Sequence, residues 1–194
     1  ARQGGKFRSI RFPASFVLIE HPTRGVILFD TGYSKHAVYA MRRFPYQLYA
    51  AITPVHLTDG ESAMEQLEVL GVRAEDVRTV ILSHFHVDHI GGCLDFPHAD
   101  FICSRLEYED VKDRSGFSAL RHTYIPGLLP TDFASRTTFI EDLQVVRTPI
   151  FPEIFPDAID LLGDGSILGI RLAGHSSHQF GILLPQGERP YFFI

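Results

Sequence analysis

The chain has 194 residues, 45% of them hydrophobic and 21% charged, with a formal net charge of −5. That length supports one domain with a sizeable core, and that composition excludes a disordered or low-complexity protein. The acidic balance, with Lys and Arg scattered apart from Arg42-Arg43, offers no footprint for nucleic acid, so no such partner is expected.

The opening, ARQGGKFRSIRF, has no starting Met and no apolar signal-peptide core. SFVLIE (15–20) and GVILFD (25–30) flank the turn HPTR and predict a β-hairpin. Residues 33–56 are crowded with Tyr33, Tyr39, Met41, Phe44, Tyr46 and Tyr49, a partly helical stretch interrupted by Pro45. A helix is expected over about 60–70, with Asp59 as cap and Gly71 just past its end. VRTVILS (77–83) is β-branched and apolar, as a buried strand requires. DFICS (100–104) predicts a further strand, and Ser104 with Glu107 has capping-box spacing for a helix behind it. Residues 113–136, rich in Gly, Pro and Ser, read as a long loop. TTFIE, LQVVRT, DAIDLL, SILGIRL, QFGILL and YFFI then follow as strands. Gly163-Asp164-Gly165 turns one hairpin and PQGE another. Strands interleaved with helices predict a single α/β domain of sheets covered by helices.

Between two of these elements lies SHFHVDHIGG (83–92), which puts three histidines and an aspartate within positions 84–89. Side chains two apart on an extended chain share a face, so His84 and His86 can point the same way. The following turn brings Asp88 and His89 in from another side, and Gly91 and Gly92 permit a sharp backbone path. Imidazole and carboxylate suit Zn²⁺, and also Fe, Mn or Co. The two cysteines, Cys93 and Cys103, make neither a zinc clip nor a disulfide framework; small buried residues in a reducing cytoplasm are expected. A site of this kind needs a remote ligand, for which His175 in LAGHSSHQF is the candidate, directly after a strand and Gly174. His178 is left as ligand, supporting group or solvent-facing residue.

HFHVDHIGG resembles the H-x-H-x-D-H signature of the metallo-β-lactamase superfamily. LFDTG (28–32) is similar to its first motif and AGHSSH (173–178) to its third. Residues 53–92 look especially like N-acyl-homoserine lactonases. The resemblance implies an αββα sandwich with metals between the sheets at one end. It places His84, His86 and His175 on a first zinc, and Asp88 and His89 on a second. Asp30 would orient a ligand loop, although an Asp opening a turn before Gly32 reads the same way.

The implied activity is a metal-dependent hydrolase acting on a small ester, lactone or thioester, with Asp88 also accepting a proton from the attacking water. A thioesterase like hydroxyacylglutathione hydrolase and a metal-binding non-enzyme are the alternatives. The aromatic stretch 33–56 and the loop with His122 and Tyr124 would wall the substrate pocket or pack on the core. The family's fourth and fifth motifs, an Asp and a final His, would follow a strand like YFFI, where this chain stops. That leads to the expectation of a chain truncated before the fourth motif, with an open edge favouring a homodimer. No apolar run of about eighteen residues occurs, so no membrane partner is expected.

Overall fold

A computed structural model describes residues 12–148, 150–172, 174–185 and 189–194. The predicted hairpin forms: β1 (Val17–His21) and β2 (Gly25–Phe29) pair antiparallel, with Val17 opposite Phe29 and His21 opposite Gly25. β3 (Val77–Ile81), β4 (Asp100–Cys103) and β5 (Thr137–Phe139) add in parallel, giving a sheet ordered β1-β2-β3-β4-β5. The second sheet is antiparallel throughout and ordered β10-β9-β8-β7-β6. Its strands are β6 (Val145–Arg147), β7 (Asp157–Asp160), β8 (Leu168–Arg171), β9 (Phe180–Leu184) and β10 (Tyr191–Phe193).

Alternation along the strands of the first sheet explains how its two faces are used. Leu28, Val80, Phe101 and Cys103 face the helices, while Ile27, Phe29, Ile81 and Ile102 face the second sheet. The first set packs on Ala37 of α1 (Lys35–Ala40), Leu67 of α3 (Ala63–Val69) and Val111 of α5 (Arg105–Val111). The second set meets Ile159, Leu161, Phe180 and Ile182. Each such side chain, fully buried, contributes about 1.5–3 kcal/mol, so a strand hydrophobic on both faces holds two layers at once. On the far side of the second sheet, Ala158, Leu168, Ile170 and Leu183 pack beneath Ile150, Phe155 and Leu172. The described residues thus build helix, sheet and sheet in order, an α/β sandwich. The fourth, helical layer of the αββα expectation is not among them.

Several local expectations are corrected. Ser62, not Asp59, caps α3: its hydroxyl accepts from Glu65 N while the Glu65 side chain takes the Ser62 backbone N–H, and Asp59 instead pairs with Lys35 at 3.3 Å. Residues 113–136 are not a plain loop. They contain α6 (Gly116–Arg121) and a 3₁₀ turn at Phe133–Arg136, with Tyr124, Ile125 and Leu128 buried against the core. Of the aromatic stretch, Tyr33, Tyr46 and Tyr49 pack partly on the core beside α1 and α2 (Gln47–Ile52), whereas Tyr39 and Phe44 are exposed. The Gly163-Asp164-Gly165 turn forms between β7 and β8, held by the Asp160 carboxylate, which accepts from Gly163 N at 2.9 Å and Gly165 N at 3.0 Å. The turn PQGE falls largely outside the described residues.

The two glycines after the histidine run serve close approach rather than an unusual dihedral. A Cβ on Gly91 would lie 2.7 Å from Gly32 O, and one on Gly92 would lie 2.9 Å from Thr31 O. Both are backbone atoms that cannot swing aside. Gly91→Ala should therefore lower stability by about 1–3 kcal/mol in a urea titration, as overpacking does elsewhere. A wild-type midpoint would contradict this account of the contact.

Candidate metal centre

β3 ends at Ile81, and the chain then runs extended through Ser83 to His86 before the single turn of α4 (Val87–Ile90). So short a helix has little intrinsic stability. Its carbonyls are held from the loop after β2: Thr31 Oγ1 donates to His89 O at 2.8 Å and Ser34 Oγ to Gly91 O at 2.5 Å. The LFDTG segment is thus the clamp that fixes the histidine run.

Asp30 begins that clamp with φ of +59°, a left-handed conformation that Asp tolerates better than most residues. Its carboxylate is buried and accepts three hydrogen bonds: from Ser83 N at 2.8 Å, Ser83 Oγ at 2.8 Å and His89 Nδ1 at 2.7 Å. Because Ser83 Oγ gives its one proton to Asp30, it can only accept from His84 Nδ1, 2.9 Å away. The consequence is a fixed tautomer. Both His84 and His89 carry their proton on Nδ1 and turn an Nε2 lone pair away from Asp30.

The third element arrives from the other sheet. After β8 the chain turns through Gly174 and His175 and returns into β9, and Phe180 N donates to Ser83 O at 3.2 Å across the two sheets. This brings His175 Nε2 to 2.9 Å from His86 Nδ1. One ligand-type nitrogen each from His84, His86 and His175 lies within 4.8 Å of the others. Asp88 and His89 stand as a pair beside them, His89 Nε2 being 3.6 Å from Asp88 Oδ2. His178 does not join; its backbone N–H is bonded to Glu107. His122 sits aside too, its Nδ1 3.1 Å from Asp110. A cavity of about 200 Å³ opens between the sheets here, lined by His84, His89, His175 and Phe180.

The electrostatics favour neutral rings at His84 and His86 but not at His89. Burial, then the neighbouring His89, His86 and His175, pushes His84 down to about 2; burial and His175 push His86 down to about 4. For His89 burial also opposes the charge, but the Asp30 hydrogen bond and the Asp30 and Asp88 carboxylates outweigh it and raise the ring. His84 Nε2 is buried with no hydrogen-bond partner among the described residues. An unpartnered lone pair at the focus of two further imidazoles is what a borderline divalent cation would satisfy, so these donors fit a metal.

The family's sequence profile, described as the metallo-beta-lactamase superfamily, matches residues 10–188. The chain belongs to the metallo-β-lactamase superfamily. Among its relatives is an N-acyl homoserine lactonase, AttM, of Azorhizobium caulinodans, 28% identical over 184 residues, which are 94% of this chain and 64% of that protein. A probable metallo-hydrolase of Mycobacterium tuberculosis is 37% identical over 83 residues, 43% of this chain and 26% of its own. The fold is shared with AidC, described as a dizinc quorum-quenching lactonase, at a TM-score of 0.58, 20% identity and coverage of 90% of this chain and 53% of that one. It is shared also with Bacillus thuringiensis AiiA, at a TM-score of 0.56, 21% identity and coverage of 87% and 57%. The chain spans about two thirds of the length of the curated relatives it matches along most of its sequence, 64% for AttM.

Two hydrogen-bonding arrangements were not foreseen from the sequence, although Tyr33 and Tyr49 stand in the aromatic stretch expected to wall the pocket or pack on the core. Ser83 precedes the histidine run yet ties Asp30, His84 and His89 together. Tyr33 and Tyr49 share a hydrogen bond of 3.0 Å between their hydroxyls. Burial raises both phenols, and the Asp88 charge raises both further, so they stay protonated on the Asp88 side of the site.

The depressed histidines have a measurable sign. Unfolded, His84 and His86 take up protons near pH 6.5; folded, they stay neutral until far lower pH, so the metal-free protein loses stability as pH falls below about 6.5. Raised His89 acts the other way, and its contribution is already complete below that pH. With chelator present, His84→Gln should remove about one proton, or ~1.4 kcal/mol per pH unit, from the stability slope between pH 6 and 5. Urea midpoints with an unchanged slope would refute the desolvated-imidazole account.

Proposed function

We propose that this chain carries the metal-holding part of a hydrolase that opens a carbonyl substrate, a small lactone or other ester, by water attack. The observation that supports this most is the convergence of His84, His86 and His175 from two sheets around the unpartnered His84 nitrogen. The lactonase names of several relatives favour a lactone among carbonyl substrates.

His84, His86 and His175 would hold the first divalent ion, with zinc the leading candidate. Asp88 and His89 would contribute to a second. When bound, such an ion supplies Lewis acidity, lowering the pKa of water from 15.7 to about 7 and polarising a carbonyl oxygen. The chain's own residues do the rest. Asp30 and Ser83 keep the Nδ1 protons in place, so that the ring nitrogens facing the cavity remain lone pairs. Asp88, partly open to solvent beside His89, would accept a proton from an attacking water. The Tyr33–Tyr49 hydroxyl pair, whose mutual hydrogen bond uses one of its two protons, would leave one O–H to donate to a substrate oxygen.

Metal content and turnover should be measured on one sample over a panel of N-acyl-homoserine lactones, simple esters, thioesters and β-lactams. Lactone hydrolysis with metal bound is the expected result, and His175→Ala should lower both metal content and turnover, the latter by roughly a hundredfold or more. A His175→Ala protein that keeps full metal and full activity would overturn the assignment. Turnover of thioesters alone would move the chain to the thioesterase reading.

A further inference from the structure

Two helices of this chain begin with a Ser and a Glu three residues later, and they use the Glu differently. At Ser62 the box is closed in both directions, as described above. At Ser104 only half of it exists: Ser104 Oγ accepts from Glu107 N, but the Glu107 side chain does not turn back. Its place at the helix start is taken by Glu141, which accepts from Ser104 Oγ and from Arg105 N, each at 2.7 Å. Glu107 is thereby released to point elsewhere.

It points at the loop that carries His175. Glu107 is 5% exposed, and its Oε1 accepts from Ser176 Oγ and from His178 N, the latter at 2.7 Å. A carboxyl group this buried is costly without such donors, and both of them follow one candidate ligand within three residues. The geometry matters because His175 is the one member of the three-histidine cluster that comes from the second sheet, and it is itself exposed. Among the described residues, the loop is also tied by its own turn, Gly174 N to Ser176 O and Ser176 N to Gln179 Oε1, and at its end by Phe180 N to Ser83 O; Glu107 adds a side-chain anchor next to His175 itself. Glu107, on a helix packed against the first sheet, joins that loop to the side of the molecule that bears His84 and His86.

We infer that Glu107 is a positioning residue that latches the His175 loop onto the first sheet and so sets the metal affinity of the three-imidazole site. The inference rests on the reading of that site as a metal centre. It assigns Glu107 no contact with metal or substrate; its effect passes through His175.

The test is a double-mutant cycle read as zinc affinity, by competition with a chromophoric chelator, on the full chain. Glu107→Ala should weaken zinc binding about tenfold to a hundredfold, the range for residues that orient a metal ligand. Glu107→Gln, which keeps one acceptor, should fall between it and wild type. In a His175→Ala background, Glu107→Ala should change little, because the residue it positions is gone. A merely structural role would lower the melting temperature of the chelated protein without this dependence on His175. Wild-type affinity in Glu107→Ala, or the same loss in both backgrounds, overturns the latch while leaving the three-imidazole site standing. No loss of zinc in His175→Ala overturns both readings. If Glu107→Ala does not fold, the cycle is run with Ser176→Ala, where a loss confined to the His175 background supports the latch and unchanged affinity overturns it.

Discussion

The site depends on a carboxylate held inside the protein. Asp30 sits in a left-handed conformation at the end of β2, away from water, and its charge is tolerated because Ser83 and His89 give it three hydrogen bonds. Removing any donor would leave a desolvated charge. The two neighbouring stretches, 30–34 and 83–92, therefore have one mutually consistent arrangement. From it follow the orientation of His84, the tautomer of His89, and the fit of Gly91 and Gly92 against Thr31 and Gly32. What looks like a cluster of histidines is, at its base, the solvation of one aspartate by protein.

How much of this was legible in the sequence depended on whether partners lay close along the chain. The H-x-H-x-D-H run was legible because its donors are a few residues apart and follow a buried strand. The first-sheet strands were legible because GVILF and VRTVI must bury both faces. Asp30 was left open between turn residue and orienting residue because its partners lie 53 and 59 positions away, a distance no local pattern reports. Glu107 shows the same limit from the other side. Its three-residue spacing from Ser104 suggests a capping box, and the competing donors, 69 and 71 residues on, are visible only in the fold. The helix α6 was hidden by Gly116, Pro126 and Pro130, which mark turns in a sequence even where tertiary burial of Ala119, Ile125 and Leu128 decides the structure.

The assignment of layers has a bearing on chemistry. A sheet whose faces are both buried is a rigid base, and the histidine run leaves it without an intervening flexible segment. The aromatic stretch divides accordingly: Tyr33 and Tyr49 pack partly on the core and bond to each other, while Tyr39 and Phe44 remain on the surface.

The cross-sheet bond from Phe180 to Ser83, together with the origin of His175, has a thermodynamic corollary. Two imidazoles belong to one sheet and the third to the other, so an ion bound by all three is a ligand of the closed sandwich and not of its separated halves. By mass action such an ion stabilises the seam by RT ln(1 + [L]/Kd), about 2.7 kcal/mol at a hundredfold excess over Kd. The free-metal concentration around the protein would then govern how often the two sheets part at this end, and amide protons near β9 would report it.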